Sequence, residues 1–402
     1  MELSAGFRRQ PPQDPDTAGE NQELVTRIQA EIRRSGPMTF ARFMELALYD
    51  PDGGYYRNAE LRPGRHGDFI TAPELHPIFG HAVSRLLAEA WERLDRPEPF
   101  VVREYGAGGG ALAEAVLRGL DADGSDLRRA VRYQPAEIDE RRAGTFVERL
   151  AGAGFGDVIE PVHEQPVTGV VLANEVLDAL PVHRVGVREG RLLERYVALA
   201  GDAFVDHWAE PSTPALAARL EAEAIVLAED QVAEVSLVVD RWVGAAAAGL
   251  ARGLLVLIDY GAPAGELYDV RRRPHGTLRA YVRHHVHDRV YDHIGRQDLT
   301  AHVDVTAIEA AAHAAGLTTV GITTQAAFLV GSGTEDILRR IQADPATTLA
   351  EYVELRAALM RLLDPAAMGR FRVMAFGRDW PAGPPPAAFG ATPPQRSAPH
   401  YG

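Results

Sequence analysis

Residues 101–111 read VVREYGAGGGA: a β-prone apolar run, then a tight glycine cluster, followed by the helix-like ALAEAVLRGL. Strand, glycine loop and helix in that order commit a chain to an open α/β sheet whose strand ends cradle a nucleotide-like ligand. Gly106 permits a sharp turn at positive φ, and Gly108 and Gly110 let the backbone approach a ligand with no Cβ in the way. The helix that follows offers unpaired N–H groups at its start. Glycine-rich turns also arise from packing alone, so the loop by itself leaves its ligand open.

Two compositional absences narrow that choice. The chain has no cysteine, which excludes disulfides, thiolate metal sites and cysteine nucleophiles. It also has no lysine, since all 42 cationic side chains are arginine. Schiff-base chemistry and the lysine of an ATP-binding P-loop are therefore excluded. The net charge of −14 and a pI near 5.5 argue against general affinity for nucleic acid or an anionic membrane. No stretch is long and apolar enough to span a bilayer, and the first residues lack the pattern of a signal or transit peptide. These features predict a cytoplasmic protein.

The 402 residues suit one large α/β domain with additions. Pro/Gly-rich composition predicts disorder over 1–20 and 380–402. Between them we expect a helical N-terminal cap and lid over 21–96, with Thr39 capping a helix, and a ligand-binding core over 97–330. Strands are predicted near 100–105, 132–137, 157–160, 168–173 and 253–260, the second of them short because of Pro135. The core carries an insertion, 181–252, with a hairpin turning at Glu189-Gly190 and a helix over 236–251 capped by Ser236. An Arg/His-rich loop spans 266–302. A helix over 304–315, strand material at 317–330 and a helical C-terminal part over 331–379 complete the chain.

Carboxylates mark the strand ends. Glu104 lies two residues before the first glycine, where dinucleotide enzymes carry an apolar residue. An acid there suits a ligand with a cationic amino-acid end, such as S-adenosylmethionine; the bland reading is an exposed strand-end charge. Glu137, with Asp139 as second choice, ends the next strand, where an acid can accept hydrogen bonds from both ribose hydroxyls or simply start a helix. Asn174 and Glu175 close the fourth strand. Asp178 follows one turn later if the segment is helical, and His183 comes after. Asp259 and Tyr260 end the fifth. Taken singly, each acid reads as well as a cap or a surface charge; the set does not.

Beyond these patterns, the chain resembles the MidA family of class I S-adenosylmethionine-dependent methyltransferases, which includes a mitochondrial arginine methyltransferase that assists complex I assembly. The resemblance rests on GYY (54–56), GDFITAPEL (67–75), the E-x-G-x-G-x-G loop (104–110), NEVLDALPVHR (174–184), IDYG (258–261) and QDLTAHVD (297–304). The loop departs from the usual E-L-G-P-G-x-G by Tyr105, Ala107 and Gly109. The resemblance implies a Rossmann-like seven-stranded α/β sheet and S-adenosyl-L-methionine as cofactor. That cofactor would be held by Glu104, Gly106, Gly108, Gly110, Glu137 and Asn174. Asp68, Phe69, Thr71 and Glu74 would lie in a lid, with Phe69 and Thr71 reaching the cofactor. It implies methyl transfer to an arginine of a protein partner, with Glu175, Asp178 and Asp259 orienting the guanidinium and receiving its proton, and His183 beside them. No metal is implied, although residues 271–304 hold six histidines. Three other readings remain: a small-molecule methyltransferase, a catalytically weak assembly factor, and an NAD-dependent oxidoreductase, the last disfavoured by Glu104. The oligomeric state is not legible.

Overall fold

The computed structural model describes residues 18–57 and 71–390. Its centre is a six-stranded mixed sheet: β1 (Phe100–Tyr105), β2 (Val131–Ala136), β3 (Val167–Asn174), β4 (Leu250–Asp259), β5 (Thr318–Thr324) and β6 (Arg372–Arg378). The order is β2-β1-β3-β4-β6-β5. The first four strands run parallel, and β6 lies antiparallel between β4 and β5. Because helices cover both faces, these strands read as continuous apolar runs: Val170 to Ala173 and Leu254 to Ile258 are all buried.

Two expectations change at the sheet. The predicted strand over 157–160 is a 3₁₀ turn, Gly156–Val158, plus one parallel bridge from Ile159 to Tyr133. Pro161 supplies no N–H to continue that ladder. The sheet of the described residues therefore has six strands rather than seven. Pro135 does not shorten β2, which runs its full six residues at the edge of the sheet, where a missing donor is tolerated.

The insertion builds a second, antiparallel sheet. Strands His183–Arg188 and Arg191–Ala200 turn at Glu189 and Gly190, both at positive φ as a tight hairpin of this hand requires. Ala203–Ala209 and Val232–Val235 extend it, and Met38–Thr39 from the N-terminal region pairs with its second strand. The N-terminal part is thus stitched into the insertion rather than being a separate helical cap. Its Thr39 does accept the Arg42 N–H as a cap. Ser236 caps nothing: its hydroxyl donates to the Pro181 carbonyl, and the helix begins at Val239.

The Arg/His-rich segment is not a plain loop, since Arg279–Val282 pairs with His285–His287 and with Asp298–Thr300. The C-terminal part is not purely helical either, because it supplies the interior strand β6. Residues 380–390 pack against the fold: Ala388 is buried, and the Arg93 guanidinium donates to the Pro384 carbonyl at 2.6 Å. The rest of both predicted disordered tails, 1–17 and 391–402, lies outside the described residues. Among the described residues no helix is long and apolar enough to cross a membrane, and no cluster of three or more His, Asp or Glu is placed to hold a metal.

Candidate active site

The parallel strands β1, β2, β3 and β4 end on one rim, and a cavity of about 620 Å³ opens there. The loop after β1 forms its floor. Gly106, Gly108 and Gly110 lie at φ of +67°, +53° and +79°, a region that side-chain-bearing residues rarely adopt. A Cβ on Gly106 would meet Val176 at 2.6 Å, and one on Gly110 would press on Phe146 and Leu150 at 3.0 Å. These two glycines serve the local packing, and Gly110 stands behind the cavity wall. A Cβ on Gly108 would enter open space on the cavity side, so its absence leaves room for a ligand. Gly109 is outside the positive-φ region and has only Thr145 nearby at 3.8 Å. The loop does not use its freedom. Tyr105 packs edge-on against Trp242, their rings 5.6 Å apart, and both line the cavity.

Three polar side chains on this wall fit the cofactor the resemblance implies. Glu104 is 3% exposed, and among the described residues its one side-chain donor is the Tyr133 hydroxyl at 2.5 Å. Burial pushes its carboxyl up to about 8, the Tyr133 bond pulls it down, and the charge of Glu137 pushes it further up. A buried carboxylate in that condition is stabilised by an incoming ammonium. The Asn174 Oδ1 is buried with no hydrogen-bond partner among the described residues, so a donor from a ligand would satisfy it. Glu137 accepts the Gly108 N–H and so stands over the glycine loop. Asp139, the second choice, is committed elsewhere: it caps the helix Glu140–Gly152 and is held by Arg141. This set of acceptors fits S-adenosylmethionine, which offers an ammonium and two ribose hydroxyls as donors and carries no phosphate.

Next to this wall lies a group of acids. Glu175 sits at φ +55°, an uncommon conformation for a non-glycine residue, fixed by its N–H bond to the Ile258 carbonyl at 2.8 Å. Its Oε1 accepts the Ala72 N–H and the Asn174 amide, each at 3.1 Å. The lid segment is thereby tied to the end of β3. Burial raises the Glu175 carboxyl to about 8, opposed by the Ala72 N–H and reinforced by Asp259. Asp178 is raised well above the usual range by burial first, then by Asp259, Asp298 and Glu175. Asp298 accepts the Tyr56 hydroxyl at 2.9 Å. Tyr56 stacks on Tyr49, whose hydroxyl donates to the Ala179 carbonyl at 2.9 Å.

Several predicted residues are placed differently. Glu175 and Asp178 lie on an irregular turn, not a helix. Asp259 does not face the cavity: it is wholly buried, and its oxygens accept backbone N–H groups from Val176, Leu177, Asp178 and Tyr260. His183 also lies off the cavity wall. It sits on the inserted hairpin, 2.7 Å from the fully buried carboxylate of Glu194. Thr71 and Glu74 line the cavity, whereas Asp68 and Phe69 lie outside the described residues. Tyr49, Tyr56, Asp298 and Trp242 were not singled out in sequence. GYY (54–56) and QDLTAHVD contained two of them, but no spacing rule links residues that are 242 positions apart.

Comparison with known proteins agrees with this geometry. Residues 82–323 match a family described as S-adenosyl-L-methionine-dependent methyltransferases. The fruit-fly homolog of the mitochondrial protein arginine methyltransferase NDUFAF7 is 30% identical over 92% of this chain and 89% of its own length. The human NDUFAF7 is 26% identical over 88% of this chain and 82% of its own. A crystal structure from Burkholderia thailandensis, bound to S-adenosyl-homocysteine, superposes with a TM-score of 0.85 at 34% identity, covering 95% of this chain and 98% of that one. The expectation of a cytoplasmic protein does not stand, because the fly, frog and human relatives are named as mitochondrial.

Proposed function

Since the chain belongs to this family of S-adenosylmethionine-dependent methyltransferases, we propose that it methylates an arginine guanidinium of a protein partner. The methyltransferase activity and the cofactor follow from family membership; the acceptor is the step beyond it. One observation carries the acceptor: Glu175 on the cavity wall and Asp178 just behind it are half-buried in one turn, and the charges acting most strongly on Asp178 are the carboxylates Asp259, Asp298 and Glu175. Such a group is stabilised by one thing above all, an entering cation. The relatives named as protein arginine methyltransferases support the same reading.

S-adenosylmethionine, when bound, supplies a methyl group on a sulfonium, open to in-line displacement. In our assignment Glu104 and Asn174 hold its amino-acid end, Glu137 its ribose, and Gly108 leaves the space it occupies. A guanidinium is protonated in water and a poor nucleophile. Glu175 and Asp178 pair with two of its nitrogens and localise the charge away from the third, and one of them accepts the proton released on transfer. Tyr49 and Tyr56 wall the entry with ring faces that suit a planar cation. Asp259 positions the turn carrying both acids without touching substrate. The lid residues Thr71 and Glu74, tied through Ala72 to Glu175, exclude water when the site fills.

The test is transfer of an isotopically labelled methyl group from S-adenosylmethionine to peptides differing only in a central arginine, lysine or glutamine, with the product located by mass spectrometry. Label on the arginine peptide alone is the expected result. Label on lysine, or equal label on all three, would remove arginine as the acceptor.

A further inference from the structure

Beyond the acids, the same rim carries arginines that the transfer chemistry does not use. Outside the cavity wall, Arg273 lies within the field of Arg272, Arg370 and Arg372, and His302 within that of Arg273, Arg279 and Arg370; the carboxylates paired with these arginines are Glu266 and Asp269. Arg272 reaches Glu266 at 3.3 Å and Asp269 at 3.7 Å, and Arg372 reaches Glu266 at 3.4 Å. Among the described residues Arg273 donates to the Glu266 backbone carbonyl and pairs with no carboxylate. Arg279 and Arg370 are exposed, and neither forms an ion pair with a described carboxylate. Five cations thus meet two anions. In a chain with 56 acidic against 42 basic side chains, that local excess is against the trend. The neutral state of His302, held to about 3 by burial and by Arg273, Arg370 and Arg279, accords with a strongly positive surface.

This cluster adjoins the acids across two aromatic rings. Arg370 lies over the Tyr260 ring at 5.7 Å, and Tyr260 directly follows Asp259. On the neighbouring strand, Tyr281 pairs with Asp298 and Arg279 pairs with Thr300, so acid and arginine stand two positions apart along one ladder. Two positions along a strand are about 7 Å. An extended peptide advances at the same rate. Tyr260 lies within the field of Glu175, Asp178 and Arg370, and Tyr281 within that of Asp178 and Arg279, so a chain that delivers its arginine to the two acids places neighbouring residues near Arg279 and Arg370.

We propose that this arginine cluster docks acidic residues of the protein substrate flanking the arginine to be methylated, an inference that rests on the reading of the acceptor as a protein arginine. Acids beside the target neutralise the cluster, while the target arginine neutralises the carboxylates. The site would then select a substrate segment of alternating charge and disfavour a uniformly basic one.

The experiment uses two peptides with the same central arginine, one with Asp and Glu at the flanking positions and one with Asn and Gln. At low salt the acidic peptide should show a kcat/KM about tenfold higher. That advantage should shrink as salt rises and collapse in the Arg279→Glu/Arg370→Glu double variant. A third peptide, acidic but with its arginine replaced by norleucine, should still bind by fluorescence anisotropy and lose affinity with salt. Equal kcat/KM for the two arginine peptides, with no salt-sensitive binding of the third, overturns the docking surface and leaves the arginine acceptor standing. Charge-dependent binding with transfer to a residue other than arginine overturns the acceptor and leaves the docking surface. The salt series on the unaltered protein keeps the test decisive if the double variant folds poorly.

Discussion

Asp259 accepts the Leu177 N–H at 2.7 Å, and the same carboxylate oxygen takes the N–H groups of Val176 and Asp178 at 3.1 and 3.3 Å. One buried side chain at the end of β4 thus shapes the turn at the end of β3 that presents Glu175 and Asp178. An amide at this place would turn either its oxygen or its NH₂ toward those donors. Asp259→Asn should therefore leave at least one buried N–H unsatisfied, at a cost of about 1–3 kcal/mol. Because the turn shifts, transfer should fall by more than cofactor affinity does. Thermal unfolding together with calorimetric titration of S-adenosylmethionine checks both. An Asp259→Asn variant as stable and as active as the parent would remove the clamp.

The glycine loop divides into positions with different tolerances. Gly108→Val places a branched side chain at φ +53° into the space open to the cavity, and should abolish cofactor binding in calorimetry while also lowering the Tm, because a β-branched residue is strained at that φ. Gly109→Ala should be neutral or stabilising by about 0.4–1 kcal/mol, since its backbone suits an ordinary residue and its nearest neighbour is 3.8 Å away. If Gly109→Ala lost the cofactor and Gly108→Val kept it, our assignment of the floor would be reversed.

Glu175→Gln retains an oxygen for the Ala72 and Asn174 donors but removes the charge. Asp178→Asn likewise keeps its shape. We expect each variant to bind S-adenosylmethionine within a few-fold of the parent, and to lose transfer by about 10²–10⁴-fold. Single-turnover kinetics with labelled cofactor separates the two effects. Normal turnover in both variants would take the proton-accepting role away from these acids.

What was legible in the sequence is what is local. Strand, glycine loop and helix follow one another directly between Phe100 and Ala122, Thr39 sits three residues from the N–H it caps, and the hairpin at Glu189-Gly190 is set by two adjacent positive-φ residues. The failures share one cause: they depend on what lies alongside. β6 reads as a short apolar run indistinguishable from buried helix until β4 and β5 flank it. Asp259 and Glu175 look alike as strand-end acids. Only the neighbouring strand decides that one faces backbone N–H groups and the other faces the cavity. His183 stood close in sequence to the acids, yet the hairpin carries it away to Glu194. Tyr56 and Asp298 meet across 242 residues, which no periodicity encodes.

The raised carboxyls also set a pH dependence whose sign can be worked out. Glu104 and Glu175 titrate at about 8 and Asp259 at about 6 in the folded protein, each above its unfolded value of about 4. Between those limits the folded state holds protons that the unfolded chain has released, so stability falls as pH rises. The stability from these three groups is fully present below about pH 4 and is lost through about 6 for Asp259 and about 8 for the two glutamates. Asp123, held below its ordinary value by Arg85, Arg340 and His81 against the opposing effect of burial, works the other way, but only in acid. His302, held neutral down to about 3, also works the other way up to its unfolded value of about 6.5, so the interval from about pH 7 to 8.5 is the one that reports the two buried glutamates. The Tm of the ligand-free protein should decline across it, and Glu104→Gln should flatten the slope. S-adenosylmethionine, whose ammonium favours ionised Glu104, should add a stabilisation that grows over the same interval. Scanning fluorimetry at several pH values, with and without the cofactor, decides the matter. A Tm that is flat in the parent and unaltered by Glu104→Gln would mean that Glu104 does not hold its proton in the folded state.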